Sequence, residues 1–293
     1  MIWYRLAGQE IDFSCPVSDL EPYEVTGMED VVAFPLPGSS SVNLTSRTTG
    51  WVGGGQREVE VWSASSGVLL KVAGGGDFYI APRGRGIVRV DVSKADWLTE
   101  QQEVFGLDRE ILVGPALVLA LAQRGIWSLH ASAARVEDCL TAFLGESGQG
   151  KSTIAGYLDQ AGGPKWSRIA DDILPAALLQ SGVSVWPHFP QLKLPNESQP
   201  GPRLPEVLPL NRICVLTSAE PDQIPDLKLL SPRQALQAIL SHTAGTRMFD
   251  PALLASHFDF CAGVAGRVPI YGLVYPHRRD ALPEVKELLE SAC

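Results

Sequence analysis

The sequence predicts a β-rich first domain over residues 1–110 and a second domain of mixed α/β type over residues 111–293. Two observations predict this division. In the first hundred residues, short apolar and β-branched runs are separated by Gly/Ser turn clusters at the spacing of an antiparallel meander. From Trp127 onward, strand-like runs alternate with helical stretches, which is the pattern of an α/β sheet. A chain of 293 residues is long enough for two domains of ordinary size.

In chain order, the first strands are expected at Glu58–Trp62, Val68–Val72, Phe78–Ala81 and Gly86–Val92. The turns between them are Ser63–Gly67, Gly74–Asp77 and Pro82–Gly86. A helix follows, with Pro115 in its first turn, Ala116–Ala122 as its body and Gly125 at its end. Strands at Ser128–Ala133 and Leu140–Leu144 lead to a glycine-rich loop, and a helix runs from Ser152 to Ala161, stopped by Gly162-Gly163. A strand at Arg168–Ile169 leads into Asp171-Asp172. Later come strands at Arg212–Leu216 and Ile270–Val274, helix starts at Ser231-Pro232 and Asp250-Pro251, and a last helix over Leu282–Ser291. Between residues 187 and 209 lie seven prolines, which exclude regular helix or central strand. A long irregular loop placed just after an aspartate pair suits a lid or a substrate grip.

The formal net charge of −9 gives no general attraction to nucleic acid or to an anionic membrane, so neither is expected as a partner. The five cysteines (15, 139, 214, 261, 293) are scattered, without zinc-ligand spacing, and read as reduced thiols. The beginning of the chain shows no apolar signal-type run. The longest apolar run, Ile111 to Ala122, is too short to span a bilayer, and the expected location is the cytoplasm.

The chemistry concentrates in Gly145-Glu146-Ser147-Gly148-Gln149-Gly150-Lys151-Ser152. This matches the Walker A pattern, which average composition would produce in a chain this long only about 1% of the time. Its setting, after an apolar strand and before a helix with Ile154, Tyr157, Leu158 and Ala161 on one face, makes accident rarer still. The three glycines let backbone N–H groups turn toward phosphates, Lys151 supplies a full charge, and the Ser152 hydroxyl is placed for Mg²⁺. Thr153 continues into the helix, whose N-terminus adds its dipole. The expected ligands are therefore ATP or another nucleoside phosphate, with Mg²⁺.

Asp171-Asp172 follows Ser152 by nineteen residues. Neighbouring side chains on a strand face opposite ways, so one carboxylate can reach the metal while the other faces an acceptor. Phosphoryl transfer to Ser or Thr uses such a second carboxylate. His130, in Ser128-Leu-His-Ala-Ser-Ala133, lies one strand before the loop. It reads either as a buried core histidine or as the residue that orients the catalytic aspartate.

Leu129-His130-Ala-Ser-Ala133, the loop, and Ile169-Ala-Asp-Asp-Ile173 together resemble the catalytic domain of HPr kinase/phosphorylase, in the order that family keeps them. The likeness spans roughly residues 125–290. It implies a P-loop kinase fold shared with ATP-dependent phosphoenolpyruvate carboxykinase. By that resemblance Lys151 binds phosphate, Ser152 and the aspartates serve Mg²⁺, Asp172 accepts the proton of a serine hydroxyl, and His130 poises it. The β-rich first half and the "LHASA" entry look more like the HPr-kinase-related proteins that phosphorylate the C-terminal serine of lasso-peptide precursors.

The chain departs from HPr kinases where they carry a glycine-containing signature with a metal-binding glutamate, for here stands Trp186-Pro-His-Phe-Pro190 and its continuation. A cation for the transferring phosphoryl group is sought at Lys193, Arg233 or Arg247, with Arg247 first because its Gly-Thr loop can move it inward. The expected activity is phosphorylation of a serine on a peptide or small protein. A kinase of a small metabolite such as free serine, or a nucleotide-dependent switch without transfer, stays open beside it, as does a homo-oligomer.

Overall fold

The computed structural model describes residues 2–26, 42–52, 54–64, 67–92, 98–99, 104–161, 165–187, 189–190 and 205–292. The chain is a mixed α and β protein with two large sheets, and it divides into two compact units. The first is Met1–Trp127 with Gly245–Ser256, and the second is Ser128–Ala244 with His257–Cys293. Residues 111–127 thus group with the β-rich half.

The first unit opens with a hairpin, β1 (Ile2–Leu6) and β2 (Gln9–Phe13), paired antiparallel. Ala7 at φ 49° and Gly8 at φ 69° make its two-residue turn, both left-handed as such a tight hairpin requires. Then come β3 (Glu24–Val25), β4 (Asn43–Val52), β5 (Gly55–Ala64), β6 (Gly67–Val72), β7 (Asp77–Ile80), β8 (Gly86–Asp91) and β9 (Leu98–Thr99). Their order is β3-β1-β2-β8-β7-β6-β5-β4, with β9 on β8. From β4 to β8 each strand pairs antiparallel with the next, which is the meander expected from the turn spacing. β2 joins β8 in parallel. Tyr4, Ile11, Phe13, Phe78, Ile80 and Ile87 are buried and give this sheet its core.

Two short helices complete the unit, α1 (Gly106–Ile111) and α2 (Leu117–Ala122). Between them Leu112–Ala116 is a widened, π-like stretch in which Gly114 leaves helical geometry (φ −101°, ψ −107°). Pro115 lies in this distortion and does not start a helix as expected. It has no N–H to carry the ladder onward, so a helix already begun at Gly106 is deformed there. Every residue of α2 is buried.

The second unit holds β10 (Trp127–Val136), β11 (Cys139–Leu144), α3 (Lys151–Ala161), β12 (Trp166–Leu179), β13 (Gly182–Val185), β14 (Leu208–Pro209), β15 (Arg212–Ala219), β16 (Asp226–Leu229), α4 (Pro232–Ser241), the later part of α5 (Pro251–Ala265), β17 (Ile270–Pro276) and α6 (Leu282–Ser291). Its strand order is β14-β13-β12-β10-β11-β15-β17-β16. β11, β15 and β17 run parallel, while β10 is antiparallel to β11. β11 is buried almost throughout, as a central strand covered on both faces must be.

Both expected helix starts are present. Ser231 and Gln234 form a capping box for α4, and Asp250 Oδ1 accepts the Leu253 amide at 2.8 Å. β12 is far longer than the two residues expected: it continues through residues 173–179 and pairs there with β13, although these Ala- and Leu-rich residues carry little strand propensity. The expected proline-rich excursion lies mostly outside the described residues, Lys193 included. Cys15, Cys214 and Cys261 are buried and stand outside any disulfide, whereas Cys139 is disulfide-bonded, which corrects the expectation of five reduced cysteines. No helix among the described residues is long and apolar enough to cross a membrane.

Candidate functional site

The glycine-rich loop joins the carboxyl end of β11 to the first turn of α3, in the second unit. Its base is rigid. Ile154, Ala155 and Leu158 of α3 are buried in one cluster with Phe143, Leu216, Tyr275, Val285 and Leu289. The Gln149 amide donates to Glu146 O at 3.2 Å inside the loop, and the Ile154 amide donates to Gly150 O at 2.9 Å as the helix begins.

Gly148 and Gly150 hold φ 85° and 86°. At Gly150 the requirement for glycine is double, since a Cβ there would stand 2.0 Å from the Tyr275 hydroxyl. That hydroxyl donates to Gln149 O at 3.1 Å, and burial pushes its pKa up to about 12, so it remains a donor at neutral pH. Lys151 is buried and bends back over the loop, donating to Gly145 O at 2.7 Å and Glu146 O at 3.2 Å. Glu146, Ser147, Ser152 and Thr153 are exposed along the rim.

The two aspartates face different partners. Asp171 is buried, and its Oδ1 accepts both the Ser152 hydroxyl at 2.6 Å and the Ser132 hydroxyl at 2.7 Å. Arg168 Nη1 stands 3.9 Å from its other oxygen. A buried carboxylate needs such donors, because a bare one would cost several kcal/mol. Asp172, half-buried, has its Oδ1 3.3 Å from His130 Nε2.

Asp172 also holds φ 103°, a left-handed backbone inside strand β12. This conformation costs a non-glycine residue about 1–3 kcal/mol and persists only where its surroundings enforce it. It also breaks the alternation of the strand: Ile169, Ala170 and Asp171 are buried in succession, and Asp172 then turns toward His130. The pair lies in the middle of a strand and not, as expected, at the end of one, and this single backbone twist redirects Asp172.

His130 is fixed from behind. Its amide donates to His242 O at 2.8 Å, Leu129 bridges Thr243, and the Ala244 amide donates to Ser128 O at 2.8 Å. The segment after α4 therefore takes over as partner of β10 at the point where β11 gives way to the loop. Burial lowers the His242 pKa; Glu146 raises it in turn, and Lys151 and His130 lower it further. The imidazole thus lies within the field of the loop.

The structure brings together His130, the loop, Lys151, Ser152, Asp171 and Asp172. Arg247 belongs to the first unit, in a short turn whose carbonyl accepts the Ser46 hydroxyl at 2.8 Å. Arg233 is exposed in the first turn of α4. Three residues that the sequence does not single out lie at the site: Ser132 on Asp171, and His242 and His277 beside the loop. Ser132 stood inside the quoted Leu-His-Ala-Ser-Ala run, and its spacing of two from His130 places both on one face of β10. The two histidines carry no such signal, because long-range topology brings them there. Among the described residues no group of three or more His, Cys, Asp or Glu is arranged to hold a metal ion.

No known family matches this chain, and no curated protein is similar to it in sequence. Among solved structures it is similar to the Hpr(Ser) kinase/phosphatase from Coxiella burnetii, at 9% identity and a TM-score of 0.30, over 56% of this chain and 95% of that one. A likeness this weak adds nothing to the chemistry of the site.

Proposed function

We propose that the chain is a Mg-ATP-dependent kinase on an HPr-kinase-like P-loop scaffold, transferring a phosphoryl group to a serine of a peptide or small protein. The C-terminal serine of a lasso-peptide precursor is the particular acceptor, and the cytoplasm the location. The observation that carries this reading is the strained Asp172, aimed at His130, directly beside an Asp171 already bound to Ser152. A plain nucleotide switch needs a single acidic partner for its metal. A second carboxylate, held at a conformational cost and paired with an imidazole, suits proton abstraction.

Left-handed glycines at Gly148 and Gly150 are the kind that fold a loop into an anion-binding nest, and α3 adds its N-terminal dipole. Lys151 lies against the loop carbonyls, from which it can turn to the β- and γ-phosphates. The Ser152 hydroxyl and Asp171 carboxylate, 2.6 Å apart, are hard oxygen donors of the type Mg²⁺ selects. When bound there, the metal neutralises charge on the phosphates and aligns them.

In the transfer, Asp172 takes the proton from the serine hydroxyl as the serine oxygen bonds to the γ-phosphorus. The bond from that phosphorus to the bridging oxygen breaks, and ADP leaves. His130 holds the Asp172 carboxylate in place. Asp172→Asn removes the base and keeps the shape. It should lower transfer by about 10²–10⁴-fold while Mg-ATP binding stays as in wild type. Undiminished transfer by that variant would refute the assignment of the base.

A further inference from the structure

The loop is flanked differently on its two sides. Toward β12 lie Ser152, Asp171 and Asp172, the groups that serve the reacting end of a nucleotide. Toward β15 and β17 lie Leu216, Tyr275 and His277. β11, β15 and β17 run parallel, so the loop and the residues following β17 share the carboxyl edge of the sheet, where such sheets bind ligands. With the terminal phosphate directed to the β12 side, the nucleoside end must leave over the β17 side.

An aromatic face stands there. Tyr275 is buried and tied to the loop through Gln149 O. The His277 ring lies 5.0 Å from the Tyr275 ring at 46°, and His277 is exposed. Its Nε2 is 3.9 Å from the point a Cβ of Gly150 would occupy. The phosphoryl-transfer chemistry described above uses neither ring. An exposed imidazole backed by a fixed tyrosine at the edge of a phosphate loop is a surface for a flat, apolar-faced group.

Resting on the reading of the loop as a nucleotide site, we infer that His277 is the platform on which the nucleobase of the donor stacks, with Tyr275 fixing that platform to the loop. The ligand class is an aromatic base joined to a phosphate chain. The phosphates are held by the loop and the base by the imidazole.

Calorimetric titration of the full chain with Mg-ATP and, separately, with Mg-tripolyphosphate tests this. His277→Ala should weaken Mg-ATP at least about fivefold, the low end of a base–aromatic stack, and leave tripolyphosphate binding unchanged. His277→Phe, which keeps a ring, should restore Mg-ATP binding. Equal loss of both ligands in His277→Ala, or no loss of either, would overturn the assignment of a base platform. Failure of wild-type protein to bind tripolyphosphate would overturn the phosphate-loop reading itself, and the platform with it.

Discussion

Among the described residues of the first unit, the left-handed ones other than glycine, Ala7 and Arg83, sit in turns between strands, where the chain must reverse. In the second unit Glu137 does the same between β10 and β11, but Asp172 carries φ 103° within a strand. Polar burial differs likewise. Among the described residues the first unit buries Asp12 and Ser14, whereas the second buries Ser128, Ser132, Thr141, Lys151, Asp171, Ser184, Arg212, Thr243 and His257. In the second unit the strained Asp172 and the buried Asp171 and Lys151 fall together at the glycine-rich loop, where the proposed chemistry is placed.

The same substitution placed in both units should have unequal effects. Gly150→Ala meets a left-handed backbone and the Tyr275 hydroxyl at 2.0 Å together, and should lower stability by about 3 kcal/mol. Gly54→Ala, at φ 70° with nothing within 4 Å of its Cβ, should cost only about 1 kcal/mol. Urea denaturation of the two variants measures both, and equal losses would show that the two glycines are constrained alike.

Ser132→Ala comes next. It deletes one of the two hydroxyls on Asp171 Oδ1 and should destabilise by about 1.5–3 kcal/mol, the range for a hydrogen bond to a charged group. It should also weaken Mg²⁺-dependent nucleotide binding, since Asp171 then loses its anchor. A thermal melt and a nucleotide titration on the same variant read the two effects separately.

The smallest effect is in pH. Burial holds His242 and His257 below the ordinary imidazole range, so the unfolded chain binds more protons than the fold below about pH 6.5. Their contribution is present above that pH and is lost as pH falls through the folded values. In the first unit burial raises the Asp77 carboxyl instead. The fold takes up that proton first, and the cost of burying the charge eases on acidification. Hydrogen exchange between about pH 7.5 and pH 5.5 should show β10 and α4 losing protection before β6 and β7. His242→Gln should reduce that difference, and uniform loss across both units would contradict it.

The sequence made some of this legible and hid the rest for physical reasons. β5 to β8 announce themselves because alternating residues are punctuated by Gly/Ser turns, and the loop of Gly145–Ser152 because its spacing is rare. The hairpin of β1 and β2 went unread although Ala7-Gly8 between two alternating runs is its local signature. Residues that act through topology could not be read at all. His242 reaches His130 because the end of α4 returns beside β10, and His277 reaches the loop because β17 lies two strands from β11. Nor does anything in Ala170-Asp-Asp-Ile173 announce that one aspartate is forced into a left-handed conformation. That is a property of β12 as packed, not of its residues.

The proposed activity of the second unit is phosphoryl transfer to serine. Its most direct test is mass spectrometry of peptides with internal and C-terminal serines after incubation with Mg-ATP, beside a Lys151→Ala control and free serine. One phosphoryl group should appear on a peptide serine with the wild-type protein and not with the control. Phosphorylation of free serine alone, or ATP binding with no acceptor modified, would contradict it.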